Sequence, residues 1–293
     1  MEKRVVFGSP WLPWALLAPQ LAIIGVFFYW PAIQAVIQSV FIQDAFGGNL
    51  QFVGLENFER LFTDPLYLNS MRVTAVFSVS VTVLGLAFSL LLAWFADRAL
   101  KARLVFRTLL IWPYAVAPAV AGVIWLFLFS PTYGIVAYWL RPLGVNWNHL
   151  LDGGHAMVLI VLASVWKQIS YNFLFFLAGL QSIPKTVIEA AAIDGASPLQ
   201  TFRQIVFPLL SPTTFFLFVV NIVYAFFETF AIVDAMTGGG PGNSTELLVY
   251  KVYHDGFKAL DLGSSSAQSV VLMVIVIGLT FVQFRYIERR VQY

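Results

Sequence analysis

Six stretches of this chain are each long and apolar enough to leave water: roughly Trp11–Ser39, Val73–Ala96, Val105–Phe129, Met157–Leu180, Thr213–Met236 and Ala267–Phe284. A hydrocarbon core about 30 Å thick is crossed by about 20 helical residues rising 1.5 Å each. In lipid the backbone must satisfy its own hydrogen bonds, so such segments fold as helices unless they close a barrel. The expectation is an all-α, polytopic membrane protein with about six transmembrane helices, forming one membrane domain over residues 1–293. Only 11% of the residues are charged, against about a quarter in a soluble domain. The apolar excess runs the whole length, which excludes a soluble domain on a single anchor. No concentrated basic face suggests nucleic acid as a partner. Cysteine is absent, which excludes disulfides and thiolate-bound metal. The charged start, Met1 to Arg4, precedes an apolar stretch as in a signal peptide. However, Trp11–Val40 is long, contains Pro13, Pro19 and Pro31, and has no small-residue cleavage site, so it reads as a retained first span.

Lys and Arg sort the loops into two sets. One holds Lys3, Arg4, Arg98, Lys101, Arg103, Arg107, Lys185, Arg203, Arg285, Arg289 and Arg290; the other holds Arg60, Arg72, Arg141, Lys251 and Lys258. The richer set is expected inside, which makes both termini cytoplasmic. The first outward loop is acidic, with Asp44, Glu56, Glu59 and Asp64. The run Thr237–Asn243, rich in Gly, lacks the Lys and the following Ser or Thr of a phosphate loop. It reads as a flexible turn. His149, His155 and His254 fall in outward loops without ligand spacing and are expected to be solvated. No nucleophile motif is present.

The inward segment between spans four and five, about residues 182–212, is too long for a plain connection. Ser182 and Pro184 read as a helix start, a capping hydroxyl followed by a proline in the first turn. Ala190, Ala191 and Ala192 favour helix, and Gly195 stands where a helix end wants φ > 0. Ser197 and Pro198 start a second helix, and Pro208 and Pro212 bound its end. Val187, Ile188, Ala191 and Ile193 give the first helix an apolar side; Glu189 and Asp194 add acidic points. Such a helix either docks on a partner protein or lies on lipid. The missing Lys/Arg-rich face favours docking.

Glu189-Ala190-Ala191-Ala192-Ile193-Asp194-Gly195-Ala196, followed by Phe202, Ile205 and Pro208, resembles the EAA motif of ABC importer permeases. The likeness extends along the chain through Trp11-Leu12-Pro13, Ala18-Pro19-Gln20, Trp112–Pro118 and Trp166–Phe173, which are similar to the carbohydrate-uptake branch. Within that branch, the last two of these, with Val223–Phe227 and Gln283–Tyr286, look like permeases of sn-glycerol-3-phosphate import. The resemblance implies a type I importer permease fold. Its coupling helix would seat in a cleft of a separate ATPase subunit through Glu189, Ala190, Ala191, Asp194 and Gly195. It also implies a second permease as heterodimer partner, an ATPase dimer holding ATP and Mg, a periplasmic substrate-binding protein, and the bacterial inner membrane as location. The chain itself would be no enzyme and would bind no cofactor. The implied substrate is sn-glycerol-3-phosphate, with glycerophosphodiesters possible; a neutral sugar or oligosaccharide is the alternative.

Ionisable residues within spans are costly and face an interior, a cavity or a partner. Lys167, Glu228, Asp234 and Arg72 are such residues. Lys167 either attracts a phosphate or forms an ion pair with Glu228 or a partner subunit, and the ion pair is favoured because a buried cation needs a permanent partner. Tyr171, Asn172, Phe175, Asn221 and Tyr224 are candidates for a polar pathway, or else polar contacts between helices. Asn172 and Phe175, three apart, should share a face. Pro113 and Pro118 break the ladder of span three, which places it beside the pathway. An ion-driven secondary transporter would show matched halves with broken helices, and a membrane enzyme would cluster ionisable groups at one depth. Neither pattern is visible.

Overall fold

The computed structural model describes residues 11–43, 49–98 and 103–287, with side chains omitted at 103–107 and 286–287. Lys3, Arg4, Asp44, Lys101, Arg289 and Arg290 therefore lie outside the described residues, as do the side chains of Arg103 and Arg107. Among the described residues, five helices are long and apolar enough to cross a membrane, and a bent pair makes a sixth crossing if it counts as one. The chain divides into two compact units, Met1–Thr63 with His254–Val271, and Asp64–Tyr253 with Leu272–Tyr293.

The first unit begins with α1 (Leu12–Gln38). It is apolar on every side and buries no residue within the chain, the pattern of a helix meant for lipid or for another subunit. A two-stranded hairpin follows, β1 (Phe41–Gln43) antiparallel to β2 (Leu50–Phe52), with Phe41 opposite Phe52. Then comes α2 (Glu56–Thr63). Its buried Asn57 donates to the carbonyls of Ser39 (2.8 Å) and Phe41 (3.0 Å), tying α1 to the hairpin.

The second unit is built on α3 (Pro65–Arg98). The third apolar window, predicted as one span, is two helices, α4 (Arg103–Ala115) and α5 (Pro118–Leu128). They meet at 109°. Pro118 supplies the reason: it has no N–H for the carbonyl of Tyr114, four residues back. A short α6 (Ile135–Leu140) precedes α7 (Gly153–Ser182), the most buried of the long helices. The segment after α7 holds α8 (Lys185–Ile193) and α9 (Pro198–Thr201), and the turns Phe202–Val206 and Phe207–Leu209 lead on to α10 (Ser211–Glu228). The fifth window is interrupted too. Helix α10 ends in a π turn over Tyr224–Glu228, and beyond Thr229 the chain restarts as α11 (Phe230–Met236). Helix α11 packs on α5 so closely that a Cβ on Gly122 would stand 3.3 Å from Cβ of Ala235. The second halves of the two broken spans thus pair with each other. A short α12 (Leu248–Tyr253) follows, and α13 (Leu262–Arg285) is the last long helix.

Two apolar clusters hold this unit. Phe77, Val81, Leu159, Ile160, Ile232 and Leu247 form one; Phe173, Phe176, Leu177, Leu210 and Leu217 form the other. Between them α3 and α7 are pinned by Ser89, which donates to the carbonyls of Gly85 (2.6 Å) and Ile169 (3.2 Å).

The glycine-rich run is a built loop, not the flexible turn expected. Gly238, Gly239, Gly242 and Asn243 have positive φ. Thr245 donates to the carbonyl of Gly240 at 2.7 Å, and Asn69 on α3 donates to the carbonyl of Asn243 at 3.0 Å. Ser70 donates to buried Glu246 at 3.1 Å, and the Leu248 N–H donates to Thr74 at 2.8 Å. These partners lie on a helix some 170 residues earlier, so local sequence could not reveal them.

Candidate functional site

The segment between α7 and α10 owes its shape to short-range chemistry. Pro184 is itself the N-cap of α8. Ser182 does not cap it: this side chain ends α7 by donating to the carbonyl of Gly179 at 2.7 Å. That corrects the capping role given to Ser182, whose hydroxyl was already committed one turn back. At the other end, Gly195 N–H reaches Ala192 O (3.1 Å) and Ala196 N–H reaches Ala191 O (3.0 Å). This is a Schellman closure, with Gly195 at φ +79° as its left-handed residue. Ser197 then opens α9 with a full capping box. Its hydroxyl accepts from the Gln200 N–H, and its own N–H donates to the Gln200 side chain at 2.8 Å.

Of α8 only Ala191 is buried. Glu189, Ala190, Ala192, Asp194 and Gly195 are exposed, and Ile193 is 86% exposed. Of the apolar side proposed for this helix, the chain covers Ala191 and leaves Val187, Ile188 and Ile193 exposed. Val187, Ala190, Ala191 and Asp194 also wall a shallow cleft of about 550 Å³, closed on its other side by Gln204 and Ile205.

The second constellation surrounds Lys167 on α7. Its ammonium donates to the carbonyls of Val116 (2.9 Å) and Tyr114 (3.4 Å), the groups left over at the break between α4 and α5. It lies 5.6 Å from the ring centroid of Tyr114. Glu228, one of the two ion-pair partners expected, makes no ion pair with Lys167 among the described residues. Glu228 stands exposed at the end of α10, and the orphaned carbonyls take its place as the permanent partner. Pro118 was the available signal, since a proline strips the carbonyl four residues before it. Tyr171 and Phe175, one turn apart on α7, continue the row. Ring centroids are 5.8 Å apart for Tyr114 and Tyr171, 4.8 Å for Tyr171 and Phe175, and 5.2 Å for Phe175 and Phe216. This row is partly open to the outside of the subunit.

Asn172, Asn221 and Tyr224 turn the other way. Asn172 and Asn221 are fully buried and exchange amide hydrogen bonds of 3.1 and 2.8 Å. Asn221 also reaches the carbonyl of Leu217 at 2.7 Å. Both amides stand against Gly85 of α3, where a Cβ would sit 3.5 Å from each. Tyr224 is buried in the apolar cluster. So Asn172 and Phe175 do not share a face: the first joins α7 to α10 and the second points outward. Arg72 and Asp234 are exposed and join neither group.

His149 is buried, not solvated, its ring 6.5 Å from that of Trp147. Trp147 in turn stacks on His155 at 4.7 Å. Burial lowers the pKa of His149, and nearby His155 adds to the effect. Asp152 caps α7 through the His155 N–H at 2.9 Å, a bond that holds its carboxyl below the usual range.

The profile described as "Binding-protein-dependent transport system inner membrane component" matches residues 85–293, from mid-α3 past the coupling segment. The chain belongs to this family. It is an inner-membrane permease with the all-helical fold of ABC importers. It is 60% identical over 291 residues to the sn-glycerol-3-phosphate transport system permease protein UgpA of Rhizobium meliloti (strain 1021), covering 99% of each chain. It is 58% identical over 292 residues to the protein of that name from Yersinia enterocolitica, covering 100% of this chain and 99% of that one. Among solved structures, a bacterial transporter for the acidic polysaccharide alginate superposes with TM-score 0.78 at 22% identity, over 94% of this chain and 96% of the other. A methionine ABC transporter superposes with TM-score 0.54 at 12% identity, over 78% and 97%. At these identities the two structures speak to the fold alone.

Proposed function

We propose that this chain is the membrane-spanning subunit of an ATP-driven importer of sn-glycerol-3-phosphate. The observation that carries the proposal is end-to-end likeness, at about 60% identity, to permeases named for that substrate. The Lys167 site supports it chemically. An ammonium has three donors, and the two carbonyls occupy two of them. The third, on the partly open side beside Tyr114 and Tyr171, suits a phosphate oxygen. The aromatic row down to Phe175 and Phe216 offers ring faces to a glycerol backbone, while Asn172, Asn221 and Tyr224 hold the helices behind it.

In this reading the importer holds a second permease subunit, two ATPase subunits that bind ATP and Mg, and a periplasmic binding protein, with both termini of this chain cytoplasmic. Helix α8 is the coupling helix. Glu189, Ala190, Ala191, Asp194 and Gly195 present a small-residue surface with two acidic points to an ATPase cleft. The Schellman turn and the capping box tie that surface to α7 and α10, so closure of the ATPases moves both spans. The deciding experiment is ATP-dependent uptake of labelled sn-glycerol-3-phosphate by proteoliposomes containing the full complex, with unlabelled sn-glycerol-3-phosphate and a neutral disaccharide as competitors. The proposal expects competition by the first alone. Absence of ATP-dependent uptake of the label would overturn the substrate assignment.

A further inference from the structure

The end of α3 carries a feature that the transport reading does not use. Ala87, Leu91, Trp94 and Arg98 recur every third or fourth residue and so share one helix face. With Leu90 and Phe95 they form one wall of a groove of about 510 Å³, and Pro198, Leu199 and Phe202, just after the Gly195 turn, form the other. The groove is almost wholly apolar except at its mouth. There the Arg98 guanidinium lies 3.7 Å over the Trp94 ring, which packs edge-on against Phe202 at 4.8 Å. Arg98 has no carboxylate partner among the described residues, and Leu91, Phe95 and Leu199 are exposed.

Three arguments identify the occupant. Helix α3 has 34 residues, about 51 Å at 1.5 Å per residue. That exceeds a hydrocarbon core of about 30 Å, so the helix emerges from it, and the charged pair Asp97-Arg98 assigns this end to the polar layer. A Trp–Arg pair at such a depth is the usual interfacial anchor, with the ring amphipathic and the cation in the polar layer. Finally, Lys101, Arg103 and Arg107 follow in the sequence, and juxtamembrane cations of this density attract anionic lipid.

We infer that this groove binds one anionic phospholipid, with an acyl chain along Leu90, Leu91 and Phe95 and the headgroup phosphate on Arg98. The site is independent of the transported substrate. Because one wall belongs to the segment after Gly195, the lipid braces the arm that links α8 to α10.

The test places the full complex in nanodiscs of phosphatidylcholine with and without phosphatidylglycerol, and counts retained lipids by native mass spectrometry. Arg98→Gln removes the cation. Leu91→Trp fills the groove and keeps the cation. Basal ATPase activity in phosphatidylcholine is measured for each, to establish an assembled complex. Arg98→Gln is expected to lower bound phosphatidylglycerol about fivefold, the contribution of one interfacial cation, with phosphatidylcholine unchanged, and Leu91→Trp to lower it at least as far by closing the groove. Unchanged phosphatidylglycerol in both variants overturns the site. Loss in Arg98→Gln alone overturns the groove, since it leaves only diffuse surface charge. Parallel loss of both lipids in Arg98→Gln overturns the selectivity for an anion.

Discussion

Lys167 is held by two carbonyls left open at the break before Pro118, and this sets what its replacement should do. Lys167→Met leaves the carbonyls of Tyr114 and Val116 unpaired and removes the only cation near the aromatic row among the described residues. Uptake of sn-glycerol-3-phosphate is expected to fall by at least about tenfold, roughly 1.4 kcal/mol of transition-state stabilisation. Lys167→Arg, which keeps charge and donors, should recover part of it. Wild-type uptake by Lys167→Met would remove Lys167 from the pathway. The buried amides make a separate case. Asn172→Ala or Asn221→Ala strands the partner in an apolar interface, at a cost of about 1–3 kcal/mol. The double variant should cost less than the sum, and thermal unfolding of the detergent-solubilised protein measures the difference. His149 is a pH prediction. Its folded pKa is depressed, so its neutral form contributes stability that is full above the unfolded value of about 6.5. That stability is lost progressively as pH falls from there to the folded pKa. Protease sensitivity of the loop Arg141–Asp152 should therefore rise on acidification below about pH 6.5, and His149→Phe should flatten the profile.

At the scale of elements, the coupling segment is three local motifs in series: the end of α7, the Schellman turn and the capping box. Gly195 at φ +79° is the position with least tolerance. There is open space around it, so Gly195→Ala is a conformational test and not a steric one. A left-handed alanine costs about 1–2 kcal/mol. Uptake should fall while affinity for the binding protein stays intact, and Glu189→Lys should do the same by reversing an acidic contact. Normal uptake in both would sink the coupling role. This segment was legible in the sequence because each signal acts within five residues. Ser182 was misread for the same reason: two candidate caps stood close together, and the helix before it claimed the hydroxyl. The breaks in the third and fifth windows were less legible. Pro113 and Pro118 marked the first, but no proline marks Thr229. That break comes with the pairing of α5 and α11, a contact between distant stretches.

For the whole molecule, the absence of cysteine makes topology directly measurable. Ile193→Cys and Leu151→Cys replace side chains 86% and 82% exposed. With both termini cytoplasmic, a membrane-impermeant maleimide should label Leu151→Cys in intact spheroplasts, and Ile193→Cys only after lysis. The reverse pattern would invert the orientation. Helices α5 and α11 should also behave as one body. Gly122→Cys with Ala235→Cys brings Cβ atoms to about 3.3 Å, near the usual disulfide range of roughly 3.5–4.5 Å. Oxidation should form the bond without stopping transport. A cross-link that arrests uptake would show the two half-helices separating during the cycle.

The sequence by itself determined the membrane class, the number of apolar windows, the short helices after α7 and their turn at Gly195. Hydropathy, proline, glycine and capping residues act over a few neighbours and do not wait for the fold. Only the tertiary structure decided which polar residues face which way. Lys167, Tyr171 and Phe175 form one face of α7 and Asn172 another, because α10 and the broken carbonyls of a segment some 50 residues away bid for them. It also decided that the glycine-rich run is pinned by α3. The six apolar windows with which the sequence began thus became four unbroken helices and two divided ones. Packing can bend a span wherever another group takes up the hydrogen bonds that the bend leaves open.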